Sequence, residues 1–354
     1  MSTNSEPAPL ALRALDAAVG PEAERWDAYV HAHAEGTFFH LNGWRRTIER
    51  ALGHEPVYLY VTRGDAITGV LPAFVGGRWP FARALVSVPI GVAGGVLADD
   101  DESAALLLRA ARARAERDGL AYVELKSERA RFPELSTRAD LYFTFRQPLF
   151  GDREKQLQAI PRKTRAVLRT AERAQLRTRL TRSAVDVFHD LYALSLRNLG
   201  TPMFPRELFV AALEEHPKTS DLLLVEDGGR PIGAVLNFYF RDVMLPFFVG
   251  TLPEARGVGV NNYVYWVMLE SGYDRGFRWF DFGRSKVGTG AYKFKENFGM
   301  KPEPLAYQYA LVGADALPNV NPTNPKYHRA IEAWKRLPVS VSTRLGPLLS
   351  RRLP

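Results

Sequence analysis

Apolar positions along the chain fall into short runs of period two separated by longer stretches of helical spacing, and the same succession occurs twice. The first copy begins at residues 57–71, VYLYVTRGDAITGVL, where a turn at Gly64-Asp65 joins two strands into a hairpin. A strand over 85–88 leads into a glycine-rich loop at 91–95. A helix from about 103 to 117 and a strand over 120–125, entered through Asp118-Gly119, complete the copy. The second begins at 222–236, LLLVEDGGRPIGAVL, with its turn at Asp227-Gly228. A strand over 245–249, the loop Arg256-Gly257-Val258-Gly259, a helix over about 261–273 and a strand over 277–282 follow in the same order. Recurrence of one order of elements, with glycines at matching places, predicts an α/β fold of two tandem units with mixed sheets. Residues 152–216 read as a helical stretch that opens the second unit.

A chain of 354 residues holds two domains of ordinary size, and 46% hydrophobic with 24% charged residues is a globular composition. The expected domains are 1–150, 151–312 and a remainder, 313–354, made of a proline-rich loop over 319–325 and a basic tail. With no cysteine, disulfides, thiolate catalysis and Cys-ligated metals are excluded. Residues 1–20 carry Glu6, Arg13 and Asp16 and lack the pattern of a signal peptide. The longest nearly apolar run, 85–98, is too short and too broken by Pro89 and glycines to span a bilayer. A cytoplasmic protein is expected, with the inner membrane face as a candidate place of work.

The net charge of +8 has a location. Residues 153–182 hold ten Lys/Arg against Glu154 and Glu172, an excess equal to that of the whole chain. Such a stripe is either a solvated helix face or a surface for an anionic partner: a phosphate, a nucleotide-linked precursor, tRNA or a lipid headgroup. Ile160-Pro161 favours the second, because proline in the first turn leaves helix N-terminal amides open to an anion. Lys163 and Arg165 then sit in that first turn, where cations oppose the helix dipole unless a negative ligand is present. The tail over 333–354 has five basic residues and no acid, so it reads either as a solvated tail or as one lying on an anionic membrane surface.

One stretch concentrates candidate chemistry. Residues 277–299, FRWFDFGRSKVGTGAYKFKENFG, open as an aromatic strand and break at Gly283 into a turn bearing Arg284, Ser285 and Lys286. Tyr292, Lys293 and Lys295 follow. A glycine turn with a hydroxyl and several cations suits an anionic group, and a solvated basic loop is the alternative. Gly283-Arg284-Ser285-Lys286-Val287-Gly288 places its second glycine one residue late for a nucleophile elbow. Residues 283–289 lack the lysine of a P-loop. The seven histidines are scattered without carboxylates at ligand spacing, so no metal site is expected.

The segment FGRSKVGTGAYKFKENFG, together with IPRKTR at 160–165, resembles the Fem-type peptidyltransferases, and within them the FemAB-related proteins found with exosortase (PEP-CTERM) and exopolysaccharide systems. The resemblance covers about residues 20–312, and its strongest mark is Tyr292, Phe294, Lys295, Phe298 and Gly299. It implies two GNAT-like (acyl-CoA N-acyltransferase) domains and transfer of an aminoacyl or acyl group to an amine of a cell-envelope, peptidoglycan or exopolysaccharide precursor. Lys295 is then the electrostatic catalytic residue, with Phe294 packing beside the donor. Lys163, Arg165, Arg284, Ser285 and Lys286 are candidates for holding substrate phosphates, and Tyr239 and Tyr292 for orienting the acceptor. Arg256, Gly257 and Gly259 are similar to the acetyltransferase pyrophosphate loop, with Asn261 departing from the small residue expected there. The long helical arm with which some Fem members bind tRNA has no counterpart, since no stretch sustains apolar heptads. No cofactor is expected to be tightly bound. The donor is aminoacyl-tRNA, acyl coenzyme A or an acyl carrier protein, tRNA is a candidate partner, and DNA is not expected. Two other readings stand beside this one: an ordinary N-acyltransferase using coenzyme A or a carrier protein, and a non-catalytic protein that binds an anionic ligand.

Overall fold

A computed structural model describes residues 8–317 and 325–354 of the chain. Two compact units emerge, and neither is a continuous piece of sequence. The first contains residues up to 138, residues 305–318 and residues 351–354; the second contains 139–304 and 319–350. The loop expected at 319–325 falls on positions 319–324, outside the described residues.

The first unit opens with β1 (Leu10–Ala14), α1 (Pro21–Ala32) and α2 (Asn42–Leu52). The hairpin read from the sequence follows as β2 (Glu55–Arg63) and β3 (Ala66–Gly76), closed by Arg63 opposite Ala66. Then come β4 (Ala84–Ser87), the short β5 (Leu97–Ala98), α3 (Asp101–Arg117), β6 (Tyr122–Ser127) and β7 (Ser136–Arg138). Helix α3 starts where it does because the Asp100 carboxylate accepts the Ser103 N–H at 2.7 Å, a side-chain N-cap. Its apolar stripe, Leu107, Leu108 and Ala111, packs on Val61, Leu71, Leu85 and Val123 of the sheet. Each large side chain so buried contributes about 1.5–3 kcal/mol. β4 and β6 are parallel and pair only at Leu85–Val123 and Val86–Glu124.

The second unit repeats the plan with additions. It comprises β8 (Tyr142–Pro148), α4 (Arg153–Gln158), α5 (Arg162–Arg173), β9 (Arg177–Thr181), α6 (Val185–Leu199) and α7 (Arg206–Glu215). The sheet continues with β10 (Ser220–Asp227), β11 (Arg230–Phe240) and β12 (Val243–Thr251). α8 (Val260–Asp274), β13 (Trp279–Asp281), β14 (Ser285–Lys286), α9 (Gly290–Asn297) and β15 (Pro302–Pro304) follow. β16 (Ala306–Leu311) returns to the first unit, and α10 (Pro325–Lys335) and α11 (Val339–Ser350) belong to the second. The sheets run β1-β2-β3-β4-β6-β16-β7, with β5 beside β3, and β14-β8-β13-β12-β11-β10-β9, with β15 beside β8.

Three expectations need correction. The boundary read at 150 moves to 138, because β8 pairs antiparallel with β13, β14 and β15 while β16 pairs with β6 and β7. Each half of the chain thus lends a strand to the other's sheet. The stretch 152–216 is interrupted by β9, an edge strand paired to β10 from Leu222–Thr181 to Glu226–Arg177. The basic tail is two helices rather than a free extension. α10 reaches the end of α6, where a Cβ on Gly200 would stand 2.5 Å from Ile331, and α11 crosses the backbone of Met203 at Gly346.

Gly250 of β12 shows how tightly α6 sits on the sheet. A Cβ built there would lie 2.6 Å from the Tyr192 nitrogen and 2.7 Å from the Leu191 carbonyl carbon, both backbone atoms of α6. Backbone cannot rotate aside as a side chain can, so Gly250→Ala should destabilise the second unit by about 3 kcal/mol, the upper end of the usual cost of overpacking. Urea denaturation of the variant beside wild type measures it.

Candidate active site

The strand expected at 277–282 is realised as β13, buried at Phe280 and Asp281. It pairs with β12 in parallel only at Val243–Trp279 and Met244–Phe280; from Leu245 onward β12 continues without β13 beside it. β13 leaves through Gly283 at φ +67°, a conformation that glycine adopts without a Cβ penalty. The turn is held by a buried carboxylate. Asp281 Oδ1 accepts the Gly283 N–H at 2.7 Å and the Thr144 hydroxyl at 3.1 Å, and Oδ2 accepts Arg146 Nε at 2.8 Å. Asp281 therefore pairs with an arginine of β8.

Beyond the turn, Ser285 and Lys286 form β14 opposite Phe143 and Tyr142. The Arg284 guanidinium and the Lys286 ammonium both lie over the Tyr142 ring, 4.8 and 5.2 Å from its centroid. Ser285 is buried, and its hydroxyl has no hydrogen-bond partner among the described residues. Thr289 caps α9 by accepting the Tyr292 N–H at 3.3 Å. Three faces of this short helix then do different things. Tyr292 packs edge-on against Phe143 and Phe145. Phe294 meets Tyr265 of α8 and Phe298, with ring centroids 5.3 and 5.9 Å away. Lys295 turns inward: only 5% exposed, it donates from Nζ to the carbonyl oxygens of Gly283, at 2.7 Å, and Arg284, at 3.2 Å. Burial lowers its pKa to about 7; the Asp281 charge opposes the shift and Arg284 reinforces it.

α5 joins this corner to the glycine loop. Thr164 Oγ1 donates to Asn297 O at 2.5 Å, and Gly299 passes so close to Pro161 that a Cβ would lie 2.9 Å from the ring. At the other side, Gly259, which opens α8 at φ +75°, would place a Cβ 2.7 Å from Val167. IPRKTR, the Arg256–Gly259 loop and the Tyr292–Gly299 motif, far apart in sequence, therefore meet around one helix. Gly257 has open space where its Cβ would be, Arg256 is exposed, and Asn261 accepts the Thr251 hydroxyl at 2.6 Å.

α5 is unevenly wet. Arg162, Lys163, Arg169 and Arg173 are exposed, while Arg165 is half-buried with its Nε unpartnered among the described residues. Arg165 and Arg169 line a cleft of about 260 Å³ between α4 and α5, with Arg153, Gln158 and Glu172. Part of the basic stripe is structural: Arg153 pairs with Glu270 at 2.9 Å and with Glu172, and Arg182 holds the carbonyls of Leu213 and Ser220.

Tyr239 stands apart from this constellation. Its hydroxyl donates to Asp221 at 2.7 Å and accepts from Arg275 at 2.7 Å, and its ring stacks on Phe277. Sequence reading passed over Tyr265, which stacks on Phe282 at 4.8 Å and supports Phe294, and the β8 residues Thr144 and Arg146. A period-two pattern over 142–148 signals a strand there, but nothing local names its partner. It also passed over a cleft of about 570 Å³ in the first unit, lined by Thr37, His40, Gly95, Ser127 and Arg129. There His40 is kept neutral, its pKa lowered to about 4 by burial, with the Gly95 carbonyl opposing the shift.

Residues 154–296 match the family model of an acetyltransferase (GNAT) domain. No curated protein sequence matches. Among solved structures the chain is similar to FemX, with a TM-score of 0.63 and 13% identity over 88% of this chain and 99% of that one. It is also similar to L-PGS from Bacillus licheniformis, with a TM-score of 0.53 and 14% identity over 93% and 96% of the two chains. A tandem GNAT protein from the clavulanic acid biosynthesis pathway gives a TM-score of 0.53 and 13% identity over 87% and 100%. At these identities the likeness is one of fold: two GNAT-type units in tandem, each with a mixed sheet.

Proposed function

We propose that the chain is a Fem-like transferase that forms an amide, moving an activated acyl or aminoacyl group, held by the second unit, onto an amine of a cell-envelope precursor. The observation that carries this is the meeting of the three motifs around α5, beside the place where β12 continues without β13. Strands that separate there leave room for an extended donor arm, and the first turn of α8, which opens beside Gly257, offers its amides to the donor's phosphates, the Gly259 N–H being taken by the Arg256 carbonyl at 3.0 Å. In the transfer, the acceptor nitrogen forms a bond to the acyl carbon, the ester or thioester bond breaks, and the proton released from nitrogen goes to the departing oxygen or sulfur. The chain's task is orientation and charge. Phe294, backed by Tyr265, supplies an apolar wall. Arg284 and Lys286 on Tyr142 present cations, and Lys295 fixes the turn that carries Arg284. In this reading Lys295 is a positioning residue, because its ammonium is occupied by backbone carbonyls.

The surface of α5 supports one class of donor over the other. Gly259 uses its missing Cβ to admit Val167, and the neighbouring surface carries exposed Arg162, Lys163, Arg169 and Arg173. A broad cationic face suits a polyanion better than one diphosphate, which favours aminoacyl-tRNA. The open space at Gly257 next to exposed Arg256 favours a second reading, an acyl coenzyme A donor, the co-substrate of GNAT acyltransferases. The setting that the family resemblance implies, exopolysaccharide and PEP-CTERM systems, is compatible with either donor. Binding measurements on the full chain separate the two. With tRNA as donor, affinity falls steeply with salt, and Lys163→Glu with Arg169→Glu weakens it by at least about tenfold. Equal binding of acetyl coenzyme A by wild type and this variant, with none of tRNA, selects the second reading.

A further inference from the structure

α11 is laid on its unit the wrong way round for a globular helix. Its buried line is Ser342, Gly346 and Ser350, small residues at intervals of four, and Gly346 lies against the backbone of Met203. The large apolar residues face out: Val341, Leu345, Leu348 and Leu349 are all exposed, Leu348 at 58%. At about 100° per residue these four positions fall in one stripe roughly 100° wide, with Arg344 at its edge. A helix that packs on the protein through serine and glycine and presents leucine to the outside offers its leucines to a second partner.

Charge identifies that partner. Residues 333–354 carry no acid; Lys335 pairs with Glu332 at 2.7 Å, and Arg336 and Arg344 are the exposed cations that accompany the stripe in the second unit. A second copy of the chain seated on this stripe would set arginine against arginine, which like-charge repulsion disfavours. A surface that takes leucines into an apolar layer and meets arginines with negative charge is the headgroup boundary of an anionic bilayer. We infer that α11 docks the protein on anionic membrane, lying in the interface plane with Val341, Leu345, Leu348 and Leu349 inserted and Arg336 and Arg344 at the headgroups. Among the described residues no helix is long and apolar enough to cross a membrane, so the contact is peripheral. This inference is independent of the donor and of turnover.

Flotation of the full chain with vesicles tests it. Wild type should float with phosphatidylcholine vesicles containing phosphatidylglycerol, poorly with phosphatidylcholine alone, and less as salt rises. Leu345→Ser with Leu348→Ser and Leu349→Ser should lower partitioning by at least about tenfold at unchanged melting temperature, since these side chains are already exposed. Arg336→Glu with Arg344→Glu, which leaves the apolar stripe intact, should remove the preference for phosphatidylglycerol. Failure of wild type to float, or flotation unaltered in both variants, overturns the proposal. So does a wild-type dimer in light scattering that becomes a monomer in the leucine variant without any vesicle binding, which would make the stripe an interface between copies.

Discussion

Lys295→Ala should reduce kcat/KM by about a hundredfold, because the turn carrying Arg284 and the buried Ser285 hydroxyl is fixed by the two hydrogen bonds from its ammonium. The same change takes the lysine donor from the buried Gly283 carbonyl and the part-buried Arg284 carbonyl and opens a cavity beside Phe145, at a cost of roughly 2–4 kcal/mol. Its pH signature distinguishes this residue from its neighbours. The folded pKa, about 7, lies below the ordinary lysine value of 10.5. Between those values the unfolded chain binds the proton that the folded chain does not, so stability rises with pH across that window. Denaturation midpoints measured from pH 7 to 10 should climb in wild type and lose that component in Lys295→Ala. Lys295→Met, which restores volume without donors, should recover stability more than activity.

Asp281→Ala should be the most damaging substitution of a polar residue in the second unit. One carboxylate accepts from the Gly283 N–H, the Thr144 hydroxyl and Arg146 Nε, and so ties β8 to β13 and to the turn after it. Removing it leaves an arginine and a backbone amide without their acceptor, a loss of about 3 kcal/mol, moderated by the partial exposure of Arg146. Asp281→Asn, whose amide oxygen still accepts, should lose about half as much. Urea denaturation of the three proteins gives the order wild type, Asn, Ala; equal midpoints would show that the network adds nothing.

What the sequence disclosed and what it withheld divide along the range of the interactions. Both hairpins, the α3 and α8 helices and the strand that became β13 were legible because each is set by neighbours: a turn dipeptide, a period, a glycine. The grouping of Arg284, Ser285, Lys286, Tyr292, Phe294 and Lys295 was legible for the same reason, since they share one turn and one short helix. The exchange of β8 and β16 was not. YFTFRQP reads as a strand whichever sheet it joins, and its place is set by distant partners: the ladders to β13, β14 and β15, with Thr144 and Arg146 reaching Asp281. Lys295 illustrates a second limit. Its spacing marked it out, but that its ammonium turns to the Gly283 and Arg284 carbonyls depends on how α9 rotates against β8, which Tyr292 sets by packing on Phe143 and Phe145. Tyr239, equally conspicuous as a strand tyrosine, joins Asp221 and Arg275 instead, because β10 lies beside it. The tail resisted for a different reason. α11 hides its small residues and shows its large ones, the reverse of the pattern by which a packed helix is recognised.

Mass spectrometry of the acceptor tests acyl transfer most directly. Wild-type chain is incubated with a UDP-N-acetylmuramoyl pentapeptide and, in parallel, with charged tRNA and with acetyl coenzyme A. An acceptor that gains the mass of the acyl group on its free amine, with loss of that gain in Lys295→Ala, is the expected result. An acceptor that binds the chain tightly yet leaves every incubation unmodified would contradict it and make the protein a binder of anionic ligands.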